Sequence, residues 1–368
     1  MARAPLLIVA LALFNACEGE KPKSEAQPTS APTSARPQPS ANTASAAPTV
    51  DRARLGVFGK VPDVMASDKN PVTDEKVKLG RMLYFEKRIS KNQDLSCNSC
   101  HDLARYGVDG ESFSLGHKRQ RGGRNAPTVY NAAAHFVQFW DGRAPDVEKQ
   151  AQGPVLNPVE MAMPDDKAVM AVLSSMPEYV DAFKKAFPDD PKPMSYDNFG
   201  KAIGAFERKL VTPARFDKYL AGDDSALDAS EKKGLGRFLE SGCTACHTGP
   251  LLGGSLYQKV GAVKAWDNQK DQGRFDVTKQ DADKMMFKVP SLRNIEKTGP
   301  YFHDASAKTL PEAVSKMGEH QLGKTLSAED VDAIVKFLAS LTGEVPSDYV
   351  KAPELPKSTP KTPKPNPN

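Results

Sequence analysis

The sequence predicts a mostly α-helical fold in which one unit is used twice. Three observations carry this. The pattern CxxCH occurs as CNSCH (Cys97, Cys100, His101) and again as CTACH (Cys243, Cys246, His247). Matching segments flank both copies in the same order: LGRMLYF from Leu79 and LGRFLES from Leu235, APTVYN and VPSLRN, FWDGRA and FHDASA, AIGAFERKL from Ala202 and AIVKFLASL from Ala333. Pro127 to Trp140 spans 13 residues, as does Pro290 to His303. Four matches in one order argue for duplication. Finally, no alternating apolar run is long enough for a substantial sheet.

The elements follow in chain order. Residues 1–17 (MARAPLLIVALALFNAC) join a basic start to an apolar run and a small residue before Cys17. They read as an export signal, with Cys17 either a lipid-modified anchor or merely the end of an ordinary signal, and the run is too short to span a membrane. Residues 18–50 are Ser, Ala, Thr, Pro and charge, with almost nothing to bury, and read as a disordered tether. Two units are expected next, over 51–215 and 216–350. In the first, Thr73 caps a helix with Asp74 and Glu75 in its first turn; in the second, Ser327 caps SAEDVDAIVKFLASL. Residues 351–368 hold four lysines and one glutamate among prolines and read as a disordered tail. That tail and Arg3 account for the net charge of +4, so the body is neutral and no basic stripe argues for a nucleic-acid partner.

Cysteine spacing then points to chemistry. Two thiols three positions apart add to the two vinyl groups of one haem, and the histidine that follows offers its imidazole to the iron. A thioredoxin-type pair would sit in a βαβ context, which the sequence lacks. A four-cysteine zinc site would gather its pairs closer together and would not need a histidine after each. The fold expected is therefore two tandem cytochrome c-like domains, each with one covalently bound c-type haem.

The halves differ where a sixth iron ligand would stand. The second offers Met317, whose thioether opposite histidine would favour ferrous iron and raise the potential. Met285 and Met286 are rivals, and a methionine is also an ordinary core gap-filler. At the matching place the first half has Pro154. It carries instead His117, in a loop of glycines and arginines, followed by Trp140, Gln150 and Glu160. Glu160 lies between Pro158 and Pro164, where a helix does not propagate. A carboxylate and an amide at an open haem face suit peroxide cleavage, which needs one group to accept a proton and return it. His135 and His320 read as structural.

Over residues 54–345 the chain resembles the bacterial di-haem cytochrome c peroxidases. The two CxxCH sites, RNAPTVYN, FWDGRA, GPVLNPVEM, FKVPSLRN, TGPYFHDAS and AVSKMG carry the resemblance. It implies that hydrogen peroxide is reduced to water with electrons from a small cytochrome c or cupredoxin in the periplasm. His101 would be the proximal ligand of a low-potential peroxidatic haem in the first domain, and His117 its distal ligand in the resting state. His247 and Met317 would hold the high-potential, electron-accepting haem of the second. Trp140 would lie on the electron path, Glu160 would be the acid–base residue and Gln150 its polar neighbour. Calcium would be bound by the Asn125 side chain and the carbonyls of Thr298 and Pro300, and a homodimer is a family expectation. Ala305 departs from the family's usual glycine after FHD. Two readings compete: a di-haem electron carrier without chemistry of its own, and a related enzyme that oxidises tryptophans on a partner protein. In the latter branch tyrosine replaces the methionine ligand, so Met317 argues against it.

Overall fold

The computed structural model describes residues 50–368. The export signal, Cys17 and nearly all of the tether lie outside them. Among the described residues nine α-helices of six or more residues form the frame: α1 (Asp74–Phe85), α2 (Val147–Leu156), α3 (Asp166–Ser174), α4 (Pro177–Ala186), α5 (Tyr196–Glu207), α6 (Arg215–Leu220), α7 (Ala229–Ser241), α8 (Leu310–Lys316) and α9 (Ala328–Ala339). Strands β1 (Tyr257–Lys259) and β2 (Met286–Lys288) pair antiparallel, with Gln258 opposite Phe287. The caps fall as expected: Thr73 accepts from Lys76 N at 3.3 Å, and Ser327 from Asp330 N at 3.1 Å. Among the described residues no helix is long and apolar enough to cross a membrane.

The duplication is visible as one helix crossing made twice. Helix α1 crosses α5, with the Tyr84 and Phe206 rings 5.4 Å apart. Helix α7 crosses α9 in the same manner, with Phe238 and Phe337 at 5.2 Å. Each crossing needs a glycine. A Cβ on Gly80 would stand 1.9 Å from Ala202 O, and one on Gly234 would stand 1.8 Å from Ala333 O. This corrects the sequence alignment of the two LGR segments, which pairs Gly80 with Gly236. Gly236 faces open space, so the true counterpart of Gly80 lies two residues earlier, at Gly234. We expect Gly80→Ala and Gly234→Ala each to cost about 1–3 kcal/mol, since backbone would have to shift. Gly236→Ala, with nothing to meet, should be neutral or stabilise by up to ~1 kcal/mol through helix propensity. Denaturant unfolding of the three variants checks this.

The ends of the described chain cross over. Leu55 and Phe58 pack into the core of the second half, with Phe58 edge-on to Phe216 at 5.4 Å. Val345, Tyr349 and Val350 pack into the core of the first, with Tyr349 edge-on to Phe206 at 5.5 Å. Each core thus takes a short segment from the other end of the described chain. Nor is the Lys/Pro tail loose. Arg88 donates to Pro356 O at 2.8 Å, Gln93 to Pro363 O at 2.8 Å, and Asn366 N to Lys91 O at 2.8 Å. Thr362 is buried against Ser175. Backbone groups of the tail and its Ser358, Thr359 and Thr362 hydroxyls fasten it, so composition alone did not reveal its place.

Candidate haem sites and peroxide pocket

The first CxxCH lies on one helical turn, Cys97–Cys100, with His101 at its end; Ser96 and Ser99 bond each other's backbone and fix the turn. Burial pushes the Cys97 thiol up to about 12 and Cys100 up to about 11. A reactive dithiol has its thiolate stabilised instead, so the redox-disulfide reading loses support. Burial also lowers the basicity of His101 and His247, which favours the neutral ring, the form whose lone pair can bind a metal. His247 Nδ1 lies 2.9 Å from Leu252 O, and donating there leaves the lone pair of Nε2 free.

A cavity of about 380 Å³ opens beside the first CxxCH. Cys97, Cys100 and His101 line it together with Trp140, Gln150 and Glu160. The structure therefore gathers residues that the sequence spreads over 64 positions. Thiols, imidazole and a largely apolar wall fit a covalently held haem. Helix α2, capped by Asp146, brings Gln150 to this wall, and Glu160 follows on the irregular segment after α2. A second cleft of about 390 Å³ shares Phe139, Arg143, Pro154, Asn157 and Glu160 with the cavity and adds Lys149 toward solvent. Glu160 thus stands between the surface and the cavity. Burial raises its carboxyl above the ordinary carboxylate range, against the opposing pull of Arg143 and a hydrogen bond from Asn157.

His117 is buried at 6 % exposure, and its Nε2 has no partner among the described residues. Its backbone N–H donates to Glu160 O at 2.7 Å. The ring is not among the cavity-lining residues, although Gly116 is, so the loop runs beside the cavity wall. Lys118 and Arg119 have φ of +55° and +58°, a left-handed backbone seldom adopted by side-chain-bearing residues.

The two halves meet reciprocally. Asn125 N donates to His303 O and Lys288 N donates to Trp140 O, each at 2.8 Å. Trp140 and His303, the aligned residues of FWDGRA and FHDASA, have ring centroids 6.2 Å apart. Trp140 Nε1 donates to Asn125 O at 2.9 Å. Asn125 Nδ2 donates to Glu111 O at 2.9 Å, and among the described residues nothing donates to its side-chain oxygen. No group of three His, Cys, Asp or Glu side chains that could hold a metal ion occurs among those residues; the expected calcium ligands are amide and carbonyl oxygens. Met317 follows α8 and packs, half-buried, with Trp266, Met285 and Phe287.

Sequence reading missed three lining residues, Glu207, Lys288 and Arg143, and took the fourth, His135, as structural. Glu207, Lys288 and Arg143 nonetheless lie in the segments AIGAFERKL, FKVPSLRN and FWDGRA, whose resemblance assigns those three no role. Glu207 is pushed up to about 8, first by burial and then by Glu148, with Arg208 opposing. A carboxyl raised on folding contributes stability that is complete below its unfolded pKa and is lost as pH rises through its folded one. We therefore expect the holoprotein to lose stability between pH 5 and 8, and Glu207→Gln to remove that loss, on the order of a few kcal/mol. Denaturant unfolding at both pH values checks this.

Two half-buried CxxCH histidines of lowered basicity in a duplicated helical frame, one beside a pocket with an acid and an amide, define a di-haem c-type redox protein. The family model for di-haem cytochrome c peroxidase matches residues 74–225. The chain is 47% identical to the cytochrome c551 peroxidase of Pseudomonas aeruginosa, covering 84% of this chain and 90% of that one. It is also 47% identical to the cytochrome c551 peroxidase of Nitrosomonas europaea, covering 85% and 95%. Among solved structures, a MauG-like protein associated with microbial copper homeostasis matches with TM-score 0.68 and 29% identity, over 80% of this chain and 95% of that one. The chain belongs to the di-haem cytochrome c peroxidase family. It is a peroxidase, and its family implies two c-type haems.

Proposed function

We propose that the chain reduces hydrogen peroxide to water in the periplasm, with electrons from a small cytochrome c or cupredoxin. The observation that carries this is Glu160, which borders both the cavity at the first CxxCH and the cleft leading to solvent. Cys97, Cys100 and His101 would hold one haem, and Cys243, Cys246, His247 and Met317 the other. When bound, the haems supply the two electrons that, with two protons, turn one peroxide into two waters. Glu160 takes a proton from the nearer peroxide oxygen and returns it to the departing one, for which a carboxyl raised toward neutrality is well placed. The Gln150 amide orients the peroxide by hydrogen bonding. Arg143 and Lys149 line the entrance, and Trp140 connects the halves.

His117 acts as a removable plug. With its ring across the cavity the pocket is closed, and with its ring beside the wall the pocket admits peroxide. Because His117 N–H is bonded to Glu160 O, movement of the loop also repositions the acid–base residue. Reduction of the second half triggers the movement. The free side-chain oxygen of Asn125, with the carbonyls of Thr298 and Pro300, would bind calcium, whose preference is for oxygen ligands. Lipid attachment at Cys17 and formation of a homodimer complete the reading. Peroxide-dependent oxidation of reduced cytochrome c by the holoprotein tests it: turnover is expected, and its absence under all reducing conditions would favour the pure electron carrier.

A further inference from the structure

Lys288 is a buried cation without a counter-ion. It comes from β2 of the second half yet lines the cavity of the first, at 5 % exposure. Its Nζ lies 3.0 Å from His135 Nδ1 and donates to Val137 O at 3.1 Å. Both partners are neutral, and among the described residues no carboxylate lies within ion-pair distance. The carboxylate that attracts it from farther off, Asp141, is already paired with Arg124 at 2.5 Å and Arg143 at 2.9 Å. A buried ammonium left this way is expensive, and the cost falls sharply when an anion binds.

His135 holds the ammonium in place. Accepting from Lys288 at Nδ1 places the ring proton on Nε2. That atom is buried, has no partner among the described residues, and belongs to a residue lining the same cavity. The Nε2–H points away from the ammonium across the ring, so it is Lys288 Nζ, with one of its three N–H donors still free, that offers this wall's charge to a carboxylate in the cavity. Burial alone pushes Lys288 down to about 7, so the protein does little by itself to keep the charge it has placed there.

We propose that Lys288, held in place by His135, is a carboxylate receptor for a propionate of the haem that Cys97, Cys100 and His101 would hold. This rests on the reading of that motif as a haem site. Lys288 is then a positioning residue: the second half grips the first half's haem through it, and its backbone N–H ties the same residue to Trp140. Its positive charge also favours the reduced iron, so it raises the potential of that haem.

The test uses wild-type, Lys288→Met and Lys288→Arg holoprotein, each assayed for two haems per chain. Both midpoint potentials are measured by spectroelectrochemical titration and the propionate bending band by resonance Raman. Lys288→Met should lower the potential of the first haem, leave the second unchanged and shift the propionate band; Lys288→Arg should restore both. His135→Ala should give a smaller shift in the same direction. Should Lys288→Met fail to retain haem, Lys288→Gln, which keeps a donor and removes the charge, is read in its place. Unchanged potential and band in a haem-replete charge-removing variant would overturn the proposal while leaving the peroxidase reading intact. A wild-type shift on adding acetate, absent in carboxylate-free buffer, would assign the receptor to a free anion and overturn it too. Absence of haem at Cys97 and Cys100 in the wild type would remove the haem reading itself.

Discussion

Replacing Glu160 by Gln lowers peroxide turnover by about 10²–10⁴-fold, the usual contribution of a positioned acid–base group. Glutamine keeps the shape and polarity of the side chain but cannot take a proton from peroxide and return it. Haem content and the optical spectrum of the second haem should not change, because Glu160 stands on the wall facing the first CxxCH. The wild type should also lose turnover as pH falls through the Glu160 pKa, since the base must be ionised. Burial places that limb above the ordinary carboxylate range, and the limb should disappear from the residual activity of the variant. Steady-state kinetics across pH on both proteins checks this. A variant within threefold of the wild type would remove Glu160 from the chemistry.

Replacing His117 by Gly frees the enzyme from its need for pre-reduction. In the fully oxidised wild type we expect little reaction with peroxide, because on the proposed reading the His117 imidazole would close the cavity at the first CxxCH. Without that imidazole, the oxidised variant should show a high-spin first haem and react with peroxide at once. The His117–Glu160 link adds a finer expectation. The variant's turnover should stay below that of the activated wild type, because the glycine loop holds Glu160 less firmly. Oxidised-state EPR and single-turnover mixing with peroxide measure both effects. Identical behaviour of the two oxidised proteins would remove His117 from the gate.

Much of this was legible in the residues. Thr73 and Ser327 announce their helices because side-chain capping is local chemistry, and CxxCH announces haem attachment because three residues fix the thiol spacing. The duplication was legible too, but its register near the first helices was not. Gly80, Gly234 and Gly236 look alike in sequence, and only the approach of Ala202 or Ala333 distinguishes the glycine that is needed. The crossed ends escaped for a similar reason. Leu55, Phe58 and Tyr349 sit in short segments without periodicity, so nothing local says which core receives them.

The site divides along the same line. His101 and Glu160 were named from motif and resemblance, and the fold brings both to one cavity. Lys288 was not, because a lysine after Phe287 in a three-residue strand reads as a surface residue. Its burial is set by the other half of the molecule, through Val137, His135 and Trp140. The bond between His117 and Glu160 is equally hidden, since it runs from backbone to backbone across 43 residues.

The most direct test of the central claim is made on calcium-replete holoprotein, by optical and EPR spectroscopy before and after one-electron reduction, with peroxide-dependent oxidation of reduced cytochrome c followed in parallel. The account predicts that the first haem turns high-spin on half-reduction and that turnover appears with it. Two haems that stay six-coordinate and low-spin in both states, with peroxide ignored, would contradict it.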